Sequence, residues 1–299
     1  MNRNFKKPGK RTVIKVFSGI FIAGILYVLM SFLVSRYLIS VTTYKYDMDK
    51  IAAPIKIAVL TDEHANAFGR DNARLIKKVN TQNPDLVLIV GDALNSYSPT
   101  SSFLTELIAA LAETAPVYFA IGNHELAFMA QRGLPVDLLQ EEIRRAGGAF
   151  LDQSYVDITI KGQALRIGGL FDYVFNSTNV PEEQYAEKDS YLFLKDYCNT
   201  DAAKIMMTHR PQSYITDDQS ARWPIDLAIC GHEHGGQVRL PFLGGFYSTH
   251  LGLFPPYLDG YHVINGIPVV ISRGLGTYYS NRTPPRWNNV PELIMLELS

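Results

Sequence analysis

Five short runs in this 299-residue chain place carboxylates, imidazoles and one amide where they could hold metal ions. Asp62-Glu63-His64 is the first, Gly91-Asp92 the second and Gly122-Asn123-His124-Glu125 the third. His209 follows alone, and Gly231-His232-Glu233-His234 closes the set. Asp62 and His64 are two residues apart, as are His232 and His234. In extended chain such pairs point to one side, so each can present two ligands together. Hard carboxylate oxygens mixed with imidazole nitrogens suit Mn, Fe, Zn or Co. The candidates exceed what one tetrahedral ion needs, and suit two ions that share a bridging carboxylate.

Each run follows an apolar stretch that reads as a strand. These stretches are 56–60 (KIAVL), 85–90 (DLVLIV), 117–121 (VYFAI), 204–208 (KIMMT) and 226–230 (DLAIC). Helical patterns lie between the first three, at 72–80 and 103–113, and a third helix is expected over 136–145, ended by Gly147-Gly148. Such alternation implies βαβ units and a sheet buried on both faces. Loops at the strand ends of such a sheet converge on one crevice, which is where sites form. The second half is richer in strands. A hairpin is expected from 155–160 and 165–170 around Lys161-Gly162-Gln163, with a helix at 190–197. Further strands are expected at 236–240, 268–272 and 293–298, and together they predict a second sheet. No internal repeat is visible. Both halves contribute to one ligand pattern, so 55–299 reads as one domain.

Composition is that of a globular chain, 47% hydrophobic and 19% charged, which excludes disorder and low complexity. Cys198 and Cys230 are too few for a disulfide framework. The net charge of -1 hides a split. Residues 1–46 carry eight Lys and Arg and no acidic residue, leaving twenty basic against twenty-nine acidic residues, a net of -9, for the rest. An acidic body is a poor partner for nucleic acid, whose binding rests on phosphate neutralisation. Val16 to Val34 is an uncharged apolar run, preceded by six Lys and Arg and followed closely only by Arg36 and Lys45. As a helix it spans roughly 28 Å, close to the about 30 Å of bilayer hydrocarbon. The run is longer than a signal peptide's apolar region, and no clean cleavage site follows. A retained single-pass anchor at 16–34 is therefore the reading taken, after a basic segment at 1–15 and before a connector at 35–54; a cleaved signal is the alternative. The charge asymmetry puts the N-terminus in the cytoplasm and the main body outside.

The ordered set D-x-H, G-D, G-N-H-E, a later His and G-H-x-H, spread over 62–234, resembles the calcineurin-like metallophosphoesterase family. GHEHGGQVRLP and the tail from Ser272 to Leu293 further resemble a bacterial, membrane-anchored branch of it. The resemblance implies two mixed β-sheets packed face to face with helices outside, an α/β sandwich. It implies that Asp62, His64 and His234 hold one divalent ion, that Asn123, His209 and His232 hold a second, and that Asp92 bridges them. It implies that His124 is not a ligand but sits over the substrate phosphate, stabilises the transition state and protonates the leaving oxygen. A hydroxide held between the ions would attack phosphorus in line, with no covalent enzyme intermediate. Asn95 departs from the pattern, since the family often has Asp three residues after the bridging aspartate. This bears on the surroundings of the ligands rather than on the ligand set.

Other residues carry weaker expectations. Glu63 is expected to point away from the ions. His250 and His262 read as structural, as do Arg210, Arg273 and Arg286, each of which could instead grip phosphate. Cys230 reads as an inert buried thiol. Phe242, Phe246, Tyr247, Phe254 and Tyr257 either hold a lipid or sugar or pack their loop on the core; Tyr278, Tyr279 and Trp287 leave the same choice. The function expected is a membrane-anchored phosphomonoesterase or phosphodiesterase acting on an envelope or lipid-linked phosphate compound. One alternative is a pyrophosphatase of the UDP-2,3-diacylglucosamine type, which works on the cytoplasmic side and so conflicts with the charge asymmetry. Another is a metal-binding surface protein without catalysis, which the presence of both Asp92 and His124 disfavours.

Overall fold

The computed structural model describes residues 9–171, 189–216, 218–248, 251–278 and 284–299. In the first half α1 (Lys10–Tyr37) leads into β1 (Ser40–Tyr46). Then come β2 (Ile55–Leu60), α2 (Ala73–Asn80), β3 (Leu86–Val90), α3 (Ser102–Ala112), β4 (Val117–Ala120), α4 (Asn123–Gln131), α5 (Val136–Arg145) and β5 (Gly148–Leu151). The second half runs β6 (Ser154–Ile160), β7 (Gln163–Gly169), α6 (Asp189–Cys198), β8 (Ala203–Met207), α7 (Gln212–Ile215) and β9 (Leu227–Cys230). Four two-residue strands follow: β10 (Arg239–Leu240), β11 (Gly244–Gly245), β12 (Tyr247–Ser248) and β13 (Gly252–Leu253). The chain closes with β14 (Gly260–Ile264), β15 (Ile267–Ile271) and β16 (Glu292–Leu298).

Two six-stranded mixed sheets result, in the orders β1-β16-β2-β3-β4-β5 and β14-β15-β9-β8-β7-β6. Strand alternation explains how they stack. In β2, Ile57 and Val59 face one way and Ala58 and Leu60 the other. Ile57 and Val59 join Leu88 and Val90 of β3 in a cluster with Leu165, Ile167, Ile205, Met207 and Ile229 of the second sheet. That cluster is the layer between the sheets. Ala58 and Leu60 pack instead with Leu75, Leu107, Leu111, Leu139 and Ile143 from α2, α3 and α5. The outer face of the second sheet, with Met206, Ala228 and Ile271, is covered by Leu194 and Tyr197 of α6 and Tyr214 of α7. Apolar residues on both faces of the central strands thus build a helix–sheet–sheet–helix sandwich.

Several elements differ from expectation. Residues 293–298, expected in the second sheet, form β16 of the first, antiparallel to β2 and parallel to β1. The stretch expected as a connector contains β1, which pairs with β16 over seven residues. Its half-exposed edge position leaves it with polar alternation (SVTTYKY) rather than an apolar run. The strand expected at 236–240 shrinks to β10, because Gly235, Gly236 and Gln237 all have positive φ and turn the chain first. Strands β5 and β14 and helix α4 were not anticipated. Among the described residues α1 is the one helix long and apolar enough to cross a membrane.

Candidate metal centre

The five runs leave the carboxyl ends of β2, β3, β4, β8 and β9, each parallel to a neighbour in its sheet. Backbone pairing continues past the strands. The amides of Asp62 and His64 donate to the carbonyls of Gly91 and Asp92, and the Gly231 amide donates to the His209 carbonyl. The chain then bends sharply. Asp62, His64, Asp92, His232 and His234 all adopt positive φ, between 46° and 71°. That conformation is rare outside glycine and costs of order 1 kcal/mol or more per residue. Its clustering at five candidate ligands is backbone strain held by the site's surroundings. Close approach demands glycine beside it: a side chain at Gly122 would collide with the Asp92 carboxylate and amide.

The side chains converge into three overlapping groups: Asp62, His64 and His234; Asp92, His209 and His232; and His64, Asp92 and His124. His64 Nε2 lies 3.2 Å from His234 Nε2, and His234 Nε2 lies 3.6 Å from Asp62 Oδ1. His209 Nε2 is 3.1 Å from Asp92 Oδ2 and 3.9 Å from Asp62 Oδ1. Asp92 Oδ2 is also 4.0 Å from the Nε2 atoms of both His64 and His124. Asp62, His64, Asp92 and His209 are buried, while His124, His232 and His234 are partly exposed toward the cleft. Asn123 lines the same cleft, of about 240 Å³, and its Oδ1 accepts from Arg210 Nε at 3.4 Å.

Hydrogen bonds to the outer atoms fix which way the rings face. His209 Nδ1 sits 2.9 Å from the Val90 carbonyl, which can only accept, so Nδ1 carries a proton, and Nε2 would offer its lone pair inward once a cation takes the place of its own proton. The Asp62 carboxylate accepts the His232 amide at 3.0 and 3.1 Å, and Asp92 Oδ1 accepts the His124 amide at 2.7 Å. Carboxylate oxygens and imidazole lone pairs therefore meet at the centre. Buried acceptors facing acceptors need a cation between them, so the donor set fits divalent metal. His124 differs. Its Nδ1 accepts the Ser96 amide at 3.2 Å, which leaves the proton on Nε2, pointing at the cleft.

Burial and charge set the ionisation of the bare site. Burial pushes Asp62 up to about 6 and His64 down to about 3, and it also lowers His124. Burial would depress His209 too, but the adjacent Asp92 carboxylate overrides it and lifts the imidazole to about 10. Burial would raise Asp92, but His209, with His64 and His124, outweighs it and holds that carboxyl well below its usual range.

One residue quoted in the third run carries a role not anticipated. The buried Glu125 carboxylate accepts three backbone amides, Asp92 and Gly122 at 2.9 Å and Leu94 at 2.7 Å. It sits three residues after Gly122, which caps α4; this is the spacing of a capping box, and the only sequence signal for it. Glu63 belongs to none of the three groups; burial pushes its carboxyl up to about 8. Asn95 closes a loop, its Oδ1 accepting the Tyr97 amide. Tyr278 lies over the site, its ring tilted 58° to that of His124 with centroids 4.4 Å apart. Arg286 is buried behind the site, donating to the carbonyls of Gly276 and Arg273. Arg273 pairs with Glu292. His262 lies apart, against Tyr257 and the Asp259 carbonyl. His250 and Tyr279 lie outside the described residues.

The profile of the calcineurin-like phosphoesterase family matches residues 55–236. "Phosphodiesterase YaeI" of Escherichia coli is 28% identical over 251 residues, covering 83% of each chain. A zebrafish (Danio rerio) "transmembrane protein with metallophosphoesterase domain" is 25% identical over 73% of this chain and 51% of its own length. Among solved structures, the phosphopantetheinyl hydrolase PptH of Mycobacterium tuberculosis superposes with a TM-score of 0.47 at 14% identity, covering 82% of this chain and 96% of that one. The chain belongs to the calcineurin-like phosphoesterase family and is a metal-dependent hydrolase of phosphoric esters.

Proposed function

We propose that the protein is a membrane-anchored phosphoesterase with a dinuclear centre, acting on an envelope or lipid-linked phosphomonoester or phosphodiester. The observation that carries the reading is the position of Asp92 Oδ2, shared between His64 of one ligand group and His209 of the other. In this reading Asp62, His64 and His234 hold one ion, Asn123, His209 and His232 the second, and Asp92 both. When bound, two ions would neutralise charge on the phosphoryl oxygens and lower the pKa of water toward neutrality.

The chain's own residues supply the rest. His124 presents Nε2–H to the cleft, where it can donate a hydrogen bond to the charge that builds on a departing oxygen. Tyr278 covers the histidine rings and narrows access for water. Arg210, beside Asn123, is poised to orient the phosphoryl group. Apolar α1 supports anchoring, and the charge asymmetry supports a hydrolase outside the cytoplasm.

The test uses the full-length protein in detergent, stripped of metal and reloaded with Mn, Zn, Fe or Co. Two ions per chain and metal-dependent cleavage of bis-p-nitrophenyl phosphate or p-nitrophenyl phosphate are expected. Asp92→Asn should lose both binding and turnover. One ion per chain, or turnover indifferent to Asp92, would overturn the dinuclear reading.

A further inference from the structure

The helix α1 does not leave the domain at its last turn. Tyr27, Ser31 and Ser35 lie four residues apart, along one face. Ser31 and Ser35 are buried. Ser35 Oγ accepts the Asn289 amide at 2.9 Å, and the Tyr27 ring meets the Trp287 ring edge-on with centroids 6.0 Å apart. Tyr27 lies seven residues before Val34, the end of the apolar run, or about 10 Å along the axis. If everything from Tyr27 onward stood clear of the membrane, eleven apolar residues would remain. They would span roughly 17 Å, far short of the about 30 Å of hydrocarbon. The domain face at Trp287 must therefore sit at the level of lipid.

The next structure outward from Trp287 is a pair of hairpins. Val238 bridges to Trp287 and the Arg239 amide donates to its carbonyl, and Arg239 opens the β10–β11 hairpin. Its turn carries Phe242, fully exposed, and Leu243. The β12–β13 hairpin adds exposed Leu253 and Phe254, the latter edge-on to Phe246. Phe246 and Tyr247 in turn line the cleft that holds Asp92 and His124. An apolar hollow of about 390 Å³ between α1 and the domain, lined by Leu29, Phe32, Leu33 and Pro285, continues the same face. Exposed apolar patches of this kind mark interaction surfaces, and this one is contiguous with a membrane span.

We propose that the turn of the β10–β11 hairpin, with Leu253 and Phe254 beside it, inserts into the leaflet from which α1 emerges, so that the metal cleft opens at the lipid surface. The occupant of the patch is bilayer, not protein. A phosphate carried on a membrane lipid would then reach the site without leaving its leaflet. This rests on α1 being a membrane span.

Full-length protein in phosphatidylcholine vesicles tests it. Single cysteines replace Phe242, Ile25 or Arg144 in a Cys198→Ser background, where buried Cys230 stays unlabelled, and each carries the fluorophore NBD. Quenching by doxyl-labelled phosphatidylcholine is then read. Ile25→Cys reports on the span. Arg144→Cys reports on α5, beside β5 at the far edge of the first sheet. Strong quenching at 25 and 242 with none at 144 is the expected result. Quenching at 25 but not at 242 overturns the insertion while leaving the anchor standing, even if the 242 spectrum is blue-shifted, which would indicate a protein partner. No quenching at 25 overturns the anchor and the insertion with it.

Discussion

Replacing Glu125 by glutamine removes one charge from beneath the site without touching any candidate ligand. Both carboxylate oxygens are used: Oε2 accepts Asp92 and Gly122, and Oε1 accepts Leu94. A glutamine retains one acceptor oxygen. If it keeps the two bonds made by Oε2, its NH₂ group faces the Leu94 amide donor to donor. A hydrogen bond to a charged group contributes about 1.5–3 kcal/mol, and a buried donor left bare costs about 1–3 kcal/mol, so a net loss of about 2–4 kcal/mol is expected. Relief of burying a carboxylate, whose pKa is pushed up to about 7, places the result toward the lower end. At about 2–4 °C per kcal/mol for a chain of this size, the thermal midpoint should fall by about 4–16 °C. Because the same side chain also holds the Asp92 amide, strain at the Leu94 contact should mis-aim the Asp92 carboxylate as well, weakening Mn affinity by about 10–100-fold. Differential scanning calorimetry of the metal-free protein and a metal titration read the two effects. Glu106→Gln, on the exposed side of α3, should stay within about 0.5 kcal/mol of the parent. An unchanged midpoint with unchanged metal affinity in Glu125→Gln would refute the role given to this carboxylate.

Three further outcomes are expected. A chain starting at residue 39 should fold and stay monodisperse. One starting at residue 47 loses β1, bares the edge of β16 and should aggregate; equal light scattering from the two would count against β1 as part of the domain. His124→Ala should lower turnover of bis-p-nitrophenyl phosphate by about 10²–10⁴-fold with metal stoichiometry unchanged; loss of bound metal would instead make His124 a ligand. Burial pushes the Cys198 thiol up to about 11, so native alkylation by iodoacetamide should be slow at pH 8 and accelerate as pH climbs toward 11, read by mass spectrometry; rapid labelling at pH 8 would show the thiol to be free of that burial.

The ligand runs were legible because their chemistry is written in residue type and because each follows a strand whose apolar run is unmistakable. LVLIV of β3 and LAIC of β9 are buried along their whole lengths, so their ends could be located to within a residue. Glu125 escaped notice for the opposite reason. Its partners are backbone amides, which no sequence displays, and its capping position at α4 follows Gly rather than Ser or Thr. β1 and β16 show what periodicity cannot say. The segment at 293–298 reads as a strand and 40–46 as part of a connector; their pairing joins residues 252 positions apart, and nothing local in SVTTYKY names ELIMLEL as its neighbour. The shortened strand at 239–240 fails for a third reason. Extended propensity in GGQVRL yields to the left-handed turn that aims His234 inward.

That same long-range pairing ties α1 to the candidate site. β1 follows α1 by two residues, so the direction of the helix is inherited by the edge of the first sheet. Its Thr42 hydroxyl donates to Glu292 Oε1 at 2.5 Å. Glu292, buried at the start of β16, also accepts the Arg273 amide at 3.0 Å and pairs with the Arg273 guanidinium at 3.0 Å. The next residue, Gly274, lies against Asp62 so closely that a Cβ there would come within 2.7 Å of the Asp62 Cβ. Asn289 adds a second line, its amide donating to Ser35 of α1 while its side chain donates to the carbonyls of His234 and Gln237. Two candidate ligands of one ion, Asp62 and His234, are thus braced by residues that also hold the end of α1. Packed, hydrogen-bonded seams of this kind transmit displacement rather than absorb it. The tilt of the helix and the aim of the first ligand group are therefore mechanically linked, and under the proposed reading of α1 as an anchor the helix would orient the site relative to the membrane as well as retain it there.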